Sequence, residues 1–284
     1  MSKVWFVTGS SRGLGRHIAE AVLKAGDRLV ATARRSEALA DLKAEYGDRL
    51  LALDLDVRQR DTIVRAVDDG IRAFGRVDVV VNNAGYGAVA AIEEAPEDQF
   101  RDQIETNLWG AIHVTRAVLP HLRAQGGGHI FQISSVGGRL GMPGMGAYQT
   151  SKWALEGFSE VLAQEVKGFG IHVTLVEPGH MPTDWAGASM VINPTGEAYR
   201  SVLEGRLELL NTLSDRSKVV PGSDPAKVAR VLVDLSRSSE PPLRLLMGSA
   251  SVKMILAVDE AKVAETKRWE ALSASVDLEE KRGA

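Results

Sequence analysis

The sequence predicts one α/β domain, a doubly wound parallel sheet with helices on both faces. Short apolar runs alternate with longer amphipathic ones through the first two thirds of the chain, which is the βαβ pattern. Several runs are apolar on consecutive residues, as strands covered on both faces require. A length of 284 residues also suits one large α/β unit better than two small domains.

Strands are expected at residues 4–8, 29–33, 50–55, 77–81, 129–133 and 172–176, where the apolar runs lie. Helices are expected between them at about 15–25, 36–46, 61–74, 96–125 and 147–168. Asp61, with a threonine beside it, is the expected cap of the third helix. Gly26, Gly47, Gly75 and Gly126 to Gly128 stand where helices should stop. After Pro178 the pattern loosens. Residues 182–200 mix Pro, Gly and Asn with Trp185, Met190, Val191, Ile192 and Tyr199, which suits a partly apolar flap or a short interrupted helix. A helix over 224–236 leads through Pro241-Pro242 to a short apolar run at 243–247. The domain is expected over residues 1–265, with a final helix or tail at 266–284 that includes the charge run 277–282.

Composition excludes several classes. With 34 basic and 37 acidic residues, the formal charge of -3 gives no footprint for nucleic acid or an anionic membrane. Without cysteine there are no disulfides, thiolate metal sites or cysteine nucleophiles. The six histidines show no metal-ligand spacing, so no metal is expected. Residues 1–7 lack the apolar core of a secretion signal, and no apolar run approaches the roughly 18 residues that cross a bilayer. A soluble, cytoplasmic protein is expected.

Chemistry is concentrated in two places. The first strand ends in Thr8-Gly9-Ser10-Ser11-Arg12-Gly13-Leu14-Gly15 and passes directly into a helix. Gly9 permits the sharp turn, Gly13 lets backbone approach a pyrophosphate, and Gly15 lets helix and strand pack closely, while the N–H groups at 11–14 face the anion. About 20 residues on, an acid would bind a free ribose 2′-hydroxyl. The chain instead reads Ala31-Thr32-Ala33-Arg34-Arg35. Arginine matches phosphate oxygens, and Arg12 can reach the same 2′-phosphate, so NADP(H) is favoured over NAD(H). Asp56 is placed to accept from an adenine amino group with Val57 against the ring, and Asn83, Ala84 and Gly85 permit close approach to the ribose.

The second place is Ser135, Tyr148 and Lys152, with Asn107 upstream. Tyr148 and Lys152 are four apart on an expected helix and share a face. A free tyrosine titrates near 10, and a neighbouring ammonium is expected to lower it toward a working acid/base. Ser135 can hydrogen-bond a substrate carbonyl as charge develops on its oxygen. Asn107 is placed to anchor a water that relays protons to Lys152.

In these motifs the sequence resembles a classical short-chain dehydrogenase/reductase, over about residues 3–185 and more loosely beyond. Thr-Gly-x-x-x-Gly-x-Gly matches Thr8 to Gly15, Asn-Asn-Ala-Gly matches Asn82 to Gly85, and Tyr-x-x-x-Lys matches Tyr148 and Lys152. The family's serine, 13 residues before the tyrosine, selects Ser135 over Ser134. Pro-Gly-x-x-x-Thr matches Pro178, Gly179 and Thr183, which with Met181 would line the nicotinamide. Tyr86-Gly87 after Gly85, and Thr183-Asp184-Trp185, are similar to the bacterial branch that looks like 17β-hydroxysteroid dehydrogenases. The resemblance implies a Rossmann-type fold with Tyr148 as acid/base, Ser135 as substrate orienter, Lys152 as its modulator and Asn107 in the relay. It also implies a homodimer or homotetramer packed through the helices carrying Asn107 and Tyr148.

The expected reaction is hydride transfer between NADP(H) and a ketone or aldehyde, or a secondary alcohol. The substrate pocket is expected to be walled by Tyr86, Val136, Met142, Met145, Trp185 and Met190, with His180 near the nicotinamide. Two other readings are a 3-oxoacyl-thioester reductase of the same family and an NADPH-sensing regulator without turnover.

Overall fold

The computed structural model describes residues 2–183, 185, 187, 189–215, 220 and 222–278. Asp184, residues 186 and 188 of the flap, and the end of the tail and its charge run at 279–284 lie outside the described residues. Seven parallel strands form the central sheet: β1 (Val4–Val7), β2 (Arg28–Ala33), β3 (Leu50–Asp54), β4 (Val79–Asn82), β6 (Gly128–Ile133), β7 (Ile171–Pro178) and β9 (Arg244–Met247). Their order is β3-β2-β1-β4-β6-β7-β9. Two three-residue strands, β5 (Gly87–Val89) and β8 (Met190–Ile192), pair in parallel as a separate ribbon. Runs this short leave no pattern in the sequence, and neither strand was expected.

Helices cover both sheet faces. On one side α1 (Gly13–Lys24), α2 (Ala40–Tyr46) and α8 (Pro225–Leu235) bury Ile18, Val22, Leu42, Ala229 and Leu232 against Trp5, Val79 and Phe131. On the other, α3 (Arg60–Phe74), α5 (Gly110–Ala124) and α6 (Gly146–Val166) bury Ile63, Val114, Val118 and Leu162 against Phe6, Val80 and Ile130. Both faces of every central strand are thereby dry, which explains the continuous apolar runs. Just before β2, the buried Asp27 ties β1 to the end of α8: it accepts from the Trp5 indole at 3.0 Å and from Arg237 at 2.8 Å.

Two expectations about helices are corrected. Asp61 does not cap α3: the helix begins at Arg60, the cap position is Gln59 without a side-chain bond, and Asp61 sits in the first turn. There an acid complements the helix dipole instead. The single helix expected at 96–125 is α4 (Glu97–Ile104) joined to α5 by a π-helical turn at Glu105–Trp109. After the sheet's sixth strand come α7 (Glu197–Ser214), then α8 and β9, then α9 (Ser249–Arg268) and α10 (Glu270–Ala274).

Candidate active site

Six segments that leave the carboxyl ends of strands build most of the cleft: Gly9 after β1, Arg34 after β2, Asp56 after β3, Asn83 to Gly85 after β4, Ser135 after β6, and Pro178-Gly179 at the end of β7. The cleft has a volume of about 550 Å³ and opens where strand order reverses between β1 and β4. Ligands of open α/β sheets bind at that point.

The glycine turn is built for close packing. Gly9 and Gly13 have φ of +68° and +56°, the left-handed region that glycine adopts freely. A side chain at Gly15 would stand 2.1 Å from the Gly9 carbonyl oxygen, so the helix needs glycine there to start against the strand. Gly15 itself is behind the cleft wall. Arg12, the residue before α1, supplies no side-chain cap, which leaves the first-turn N–H groups toward the cleft. Thr8 and Asn83 hold the two walls together, with Thr8 Oγ1 accepting from the N–H groups of Asn83 and Ala84, both at 3.0 Å.

At the outer end, Arg12 and Arg34 line the cleft, and among the described residues neither has an ion-pair partner. The acid nearest in register, Asp54, accepts the Ser36 N–H at 2.7 Å. Arg35 is exposed but off the cleft wall. Asp56 is gripped by Arg58, Nη2 to Oδ2 at 2.7 Å, which holds its carboxyl below the usual range. Arg58, Asp102 and Thr106 line the cleft as well and carried no motif in the sequence. A buried Val57 seats against Gly110, where a side chain would come within 2.6 Å of its Cγ2.

At the inner end, Tyr148 and Lys152 are both buried and line the cleft with Ser135. Lys152 Nζ lies 5.8 Å from the Tyr148 ring centre and donates to the Ile133 carbonyl at 2.7 Å. The expected lowering of the phenol is not what prevails. Burial pushes Tyr148 up to about 12, opposed by its hydrogen bond to Ser135, and burial pushes Lys152 down to about 8. Burial acts against the charged form of each, since neither group reaches water. Ser135 Oγ accepts from the Gly137 N–H at 3.0 Å and donates to the Pro178 carbonyl over a long 3.3 Å, a bond that a better acceptor can displace.

Asn107 lies one layer behind the cleft, in the π turn, and is 2% exposed. Its Nδ2 donates to the Tyr86 carbonyl at 2.9 Å and to Ser151 at 3.2 Å, while its Oδ1 accepts from the Tyr86 N–H at 3.0 Å. Pro178, Gly179, Met181, Thr183, Tyr86 and Trp185 line the cleft. Met142, Met145 and Met190 do not, but pack with Trp185, Leu207 and Leu210 into an apolar cluster against Tyr148. Val136 is buried in the turn after Ser135. His180 is corrected: its ring lies against Gly222, where a side chain would come within 2.9 Å of Cδ2, and it is not on the cleft wall. The leucines of α7 were missed because nothing in the sequence ties residues 207 and 210 to position 148.

A doubly wound sheet with a cleft at its switch point is the architecture of the dinucleotide-binding α/β class. Within it the chain belongs to the short-chain dehydrogenase family, whose model matches residues 3–190 under the description "short chain dehydrogenase". It is 47% identical over 274 residues to Oxidoreductase BOA17 of Botryotinia fuckeliana, covering 96% of this chain and 98% of that one. Its fold matches a short-chain dehydrogenase from Streptomyces avermitilis with a TM-score of 0.90 at 40% identity, over 97% of this chain and 100% of the other. Solved relatives hold either dinucleotide. A Burkholderia phymatum member in complex with NAD matches at TM-score 0.76 and 26% identity, over 89% and 92% of the two chains. An alcohol dehydrogenase of Thermococcus sibiricus complexed with 5-hydroxy-NADP matches at 0.70 and 25%, over 88% and 98%. The protein is an oxidoreductase of this family, and no helix among the described residues is long and apolar enough to cross a membrane.

Proposed function

We propose that the protein transfers hydride between NADP(H) and a ketone or aldehyde, or the corresponding secondary alcohol, with Tyr148 as acid/base. The observation that carries this reading is one cleft with Arg12 and Arg34, which have no ion-pair partner among the described residues, at its outer end and Ser135, Tyr148 and Lys152 at its inner end. The cleft fits a dinucleotide, since its floor is Gly9 at φ +68° and a side chain there would meet Ala84 Cα at 3.0 Å. Arg12 and Arg34 would hold the 2′-phosphate, with Asp56 toward the adenine and Pro178, Gly179 and Thr183 toward the nicotinamide. The bound cofactor supplies or accepts the hydride.

The chain's own residues handle the proton. Burial keeps Tyr148 protonated at neutral pH, so the phenol is a proton donor to a carbonyl oxygen that gains charge. Ser135 turns its hydroxyl from the Pro178 carbonyl to that oxygen and orients it. Lys152, still charged below about pH 8, stabilises the phenolate that the donation leaves. The apolar cluster of Met142, Met145, Trp185 and Met190 favours a substrate with an apolar body. A homodimer or homotetramer acting in the cytoplasm completes the reading.

NADPH consumption over a panel of carbonyl compounds tests it. Tyr148→Phe is expected to bind NADPH normally and to lose turnover by about 10²–10⁴-fold. Undiminished turnover removes the acid/base assignment. Arg34→Asp should weaken NADPH by about 10–100-fold, the worth of a charge-assisted phosphate contact, and leave NADH nearly unchanged. Equal weakening of both defeats the 2′-phosphate argument.

A further inference from the structure

Gly87 opens β5, directly after Tyr86 on the cleft wall. It does not have a positive φ, so its backbone does not call for glycine. Its surroundings do. A side chain at 87 would stand 2.8 Å from Met190 Cε, 3.0 Å from Met190 Sδ and 3.1 Å from Trp185 Cζ2. Register fixes this neighbourhood: Gly87 pairs with Met190 in the β5·β8 ribbon, and its N–H donates to the Ser189 carbonyl at 3.1 Å. The edge of the Trp185 indole thus has its seat where the chain carries no side chain.

The same indole reaches Tyr148. The two ring centres are 5.3 Å apart with planes inclined at 60°, and both residues line the cleft with Ser135. Beyond Trp185 lie Met142, Met145, Met190, Leu207 and Leu210, packed together and off the cleft wall. Trp185 is therefore the partition between the reacting end of the cleft and the apolar cluster. A carbonyl whose oxygen is held by Tyr148 and Ser135 has to fit its substituents on the near side of that ring. Room is short there. One cleft of about 550 Å³, a volume suited to a single drug-sized ligand, has to take dinucleotide and substrate together.

We propose that Trp185 and Gly87 set the substrate class: the site takes carbonyl compounds with compact apolar substituents beside the reacting carbon and excludes long ones. Trp185 meets the substrate, and Gly87 is a positioning residue that acts through it. The proposal deepens the proposed function and rests on Tyr148 and Ser135 holding the carbonyl oxygen. An indole is large and turns about only two side-chain bonds, so it makes a firm stop where it is supported. The methionines behind it are unbranched and adaptable, so space for a longer substituent opens once the indole is gone. A methyl group at 87 acts in the opposite sense. The end of Met190 can swing away from it, but the indole has packed side chains behind it and the open cleft in front, so it gives ground toward the substrate.

Symmetrical dialkyl ketones test this in the full chain, because one arm faces Trp185 whichever way the ketone binds. With NADPH, wild-type kcat/KM should fall as both arms lengthen. Trp185→Ala should raise the kcat/KM of long ketones relative to short ones by about 10–200-fold, the worth of a methylene in an apolar pocket. Trp185→Phe should fall in between. Gly87→Ala should lower that ratio in the wild-type background and leave it unmoved in Trp185→Ala, where no indole remains to be pushed. Wild-type turnover that is level along the series, a Trp185→Ala ratio equal to wild type, or a Gly87→Ala effect of the same size in both backgrounds overturns the proposal. Fit is also read without turnover. Calorimetric titration of the matching secondary alcohols into NADP⁺-loaded Tyr148→Phe should show affinity falling with arm length, and the long arms regained when Trp185→Ala is added. Level affinities overturn the proposal even where no ketone of the series is reduced. Full turnover in Tyr148→Phe with the length discrimination intact would instead sink the acid/base reading and leave the partition standing.

Discussion

At the residue scale, the glycine turn shows why some positions can be read from a sequence and others cannot. Gly9, Gly13 and Gly15 are legible because a turn that meets a helix on one side and an anion on the other tolerates nothing else. Gly15→Ala places Cβ 2.1 Å from a backbone oxygen and 2.5 Å from Asn83 Nδ2, and a backbone oxygen cannot swing aside. The expected cost is about 1–3 kcal/mol of overpacking, together with loss of dinucleotide binding, since the helix start must move. Denaturant midpoints and NADPH fluorescence titration check both, and an unchanged midpoint would mean α1 shifts freely. His180 was not legible. Its place beside the Pro178-Gly179 turn suggested substrate, but its ring is taken up by residue 222, some forty positions away, which no local pattern announces. Tyr148 and Lys152 were legible as a pair through their spacing. Their direction of titration was not, because burial outweighs the Ser135 hydrogen bond at Tyr148 and the Glu156 charge at Lys152, and burial is a property of the folded surroundings.

At the scale of elements, the main discrepancy is also the one with a function. Apolar periodicity over 96–125 predicts one helix, and the chain does run on helically, but one extra residue is accommodated in the turn Glu105–Trp109. Such π turns recur at functional sites because they re-aim side chains without ending a helix. Here the turn aims Asn107 so that its amide binds both the N–H and the carbonyl of Tyr86, just before β5. That grip fixes where β5 begins and so where β8 and the apolar cluster behind Trp185 can lie. Asn107→Ala leaves the Tyr86 N–H and carbonyl without these partners, a loss of about 1–3 kcal/mol. Substrate KM is expected to rise more than NADPH affinity falls, since the freed segment borders the substrate side. If stability and both affinities match wild type, the π turn has no part in holding β5.

At the scale of the whole molecule, the doubly wound sheet was legible because each strand is covered on two faces, so its sequence is apolar without interruption. The order of the strands and the β5·β8 ribbon had no signal in the sequence and come from the structure alone. The same double cover decides how the fold responds to acid. His129 lies in the middle of the sheet on β6, 2% exposed, stacked on Phe131 at 3.9 Å, with Nε2 2.9 Å from Thr174 Oγ1 and Nδ1 unpartnered. Burial first, then His172 and Lys3, push it from 6.5 down to about 3. A base whose folded value is depressed binds its proton more readily when unfolded, so its contribution to stability is complete above 6.5 and is lost progressively as pH falls toward 3. Glu177, raised to about 7, has the opposite sign: the folded state holds its proton more tightly, so stability gains as pH falls from about 7 toward 4.5. The two oppose each other between 4.5 and 6.5, and the histidine is isolated only by comparing variants. His129→Phe keeps a ring on Phe131 and cannot titrate, and the Thr174 hydroxyl still donates to the Pro242 carbonyl at 2.7 Å. Urea midpoints for wild type and His129→Phe should therefore converge or cross as pH falls below 6.5, with the variant losing less. Parallel curves over that range would place the acid sensitivity of the sheet elsewhere.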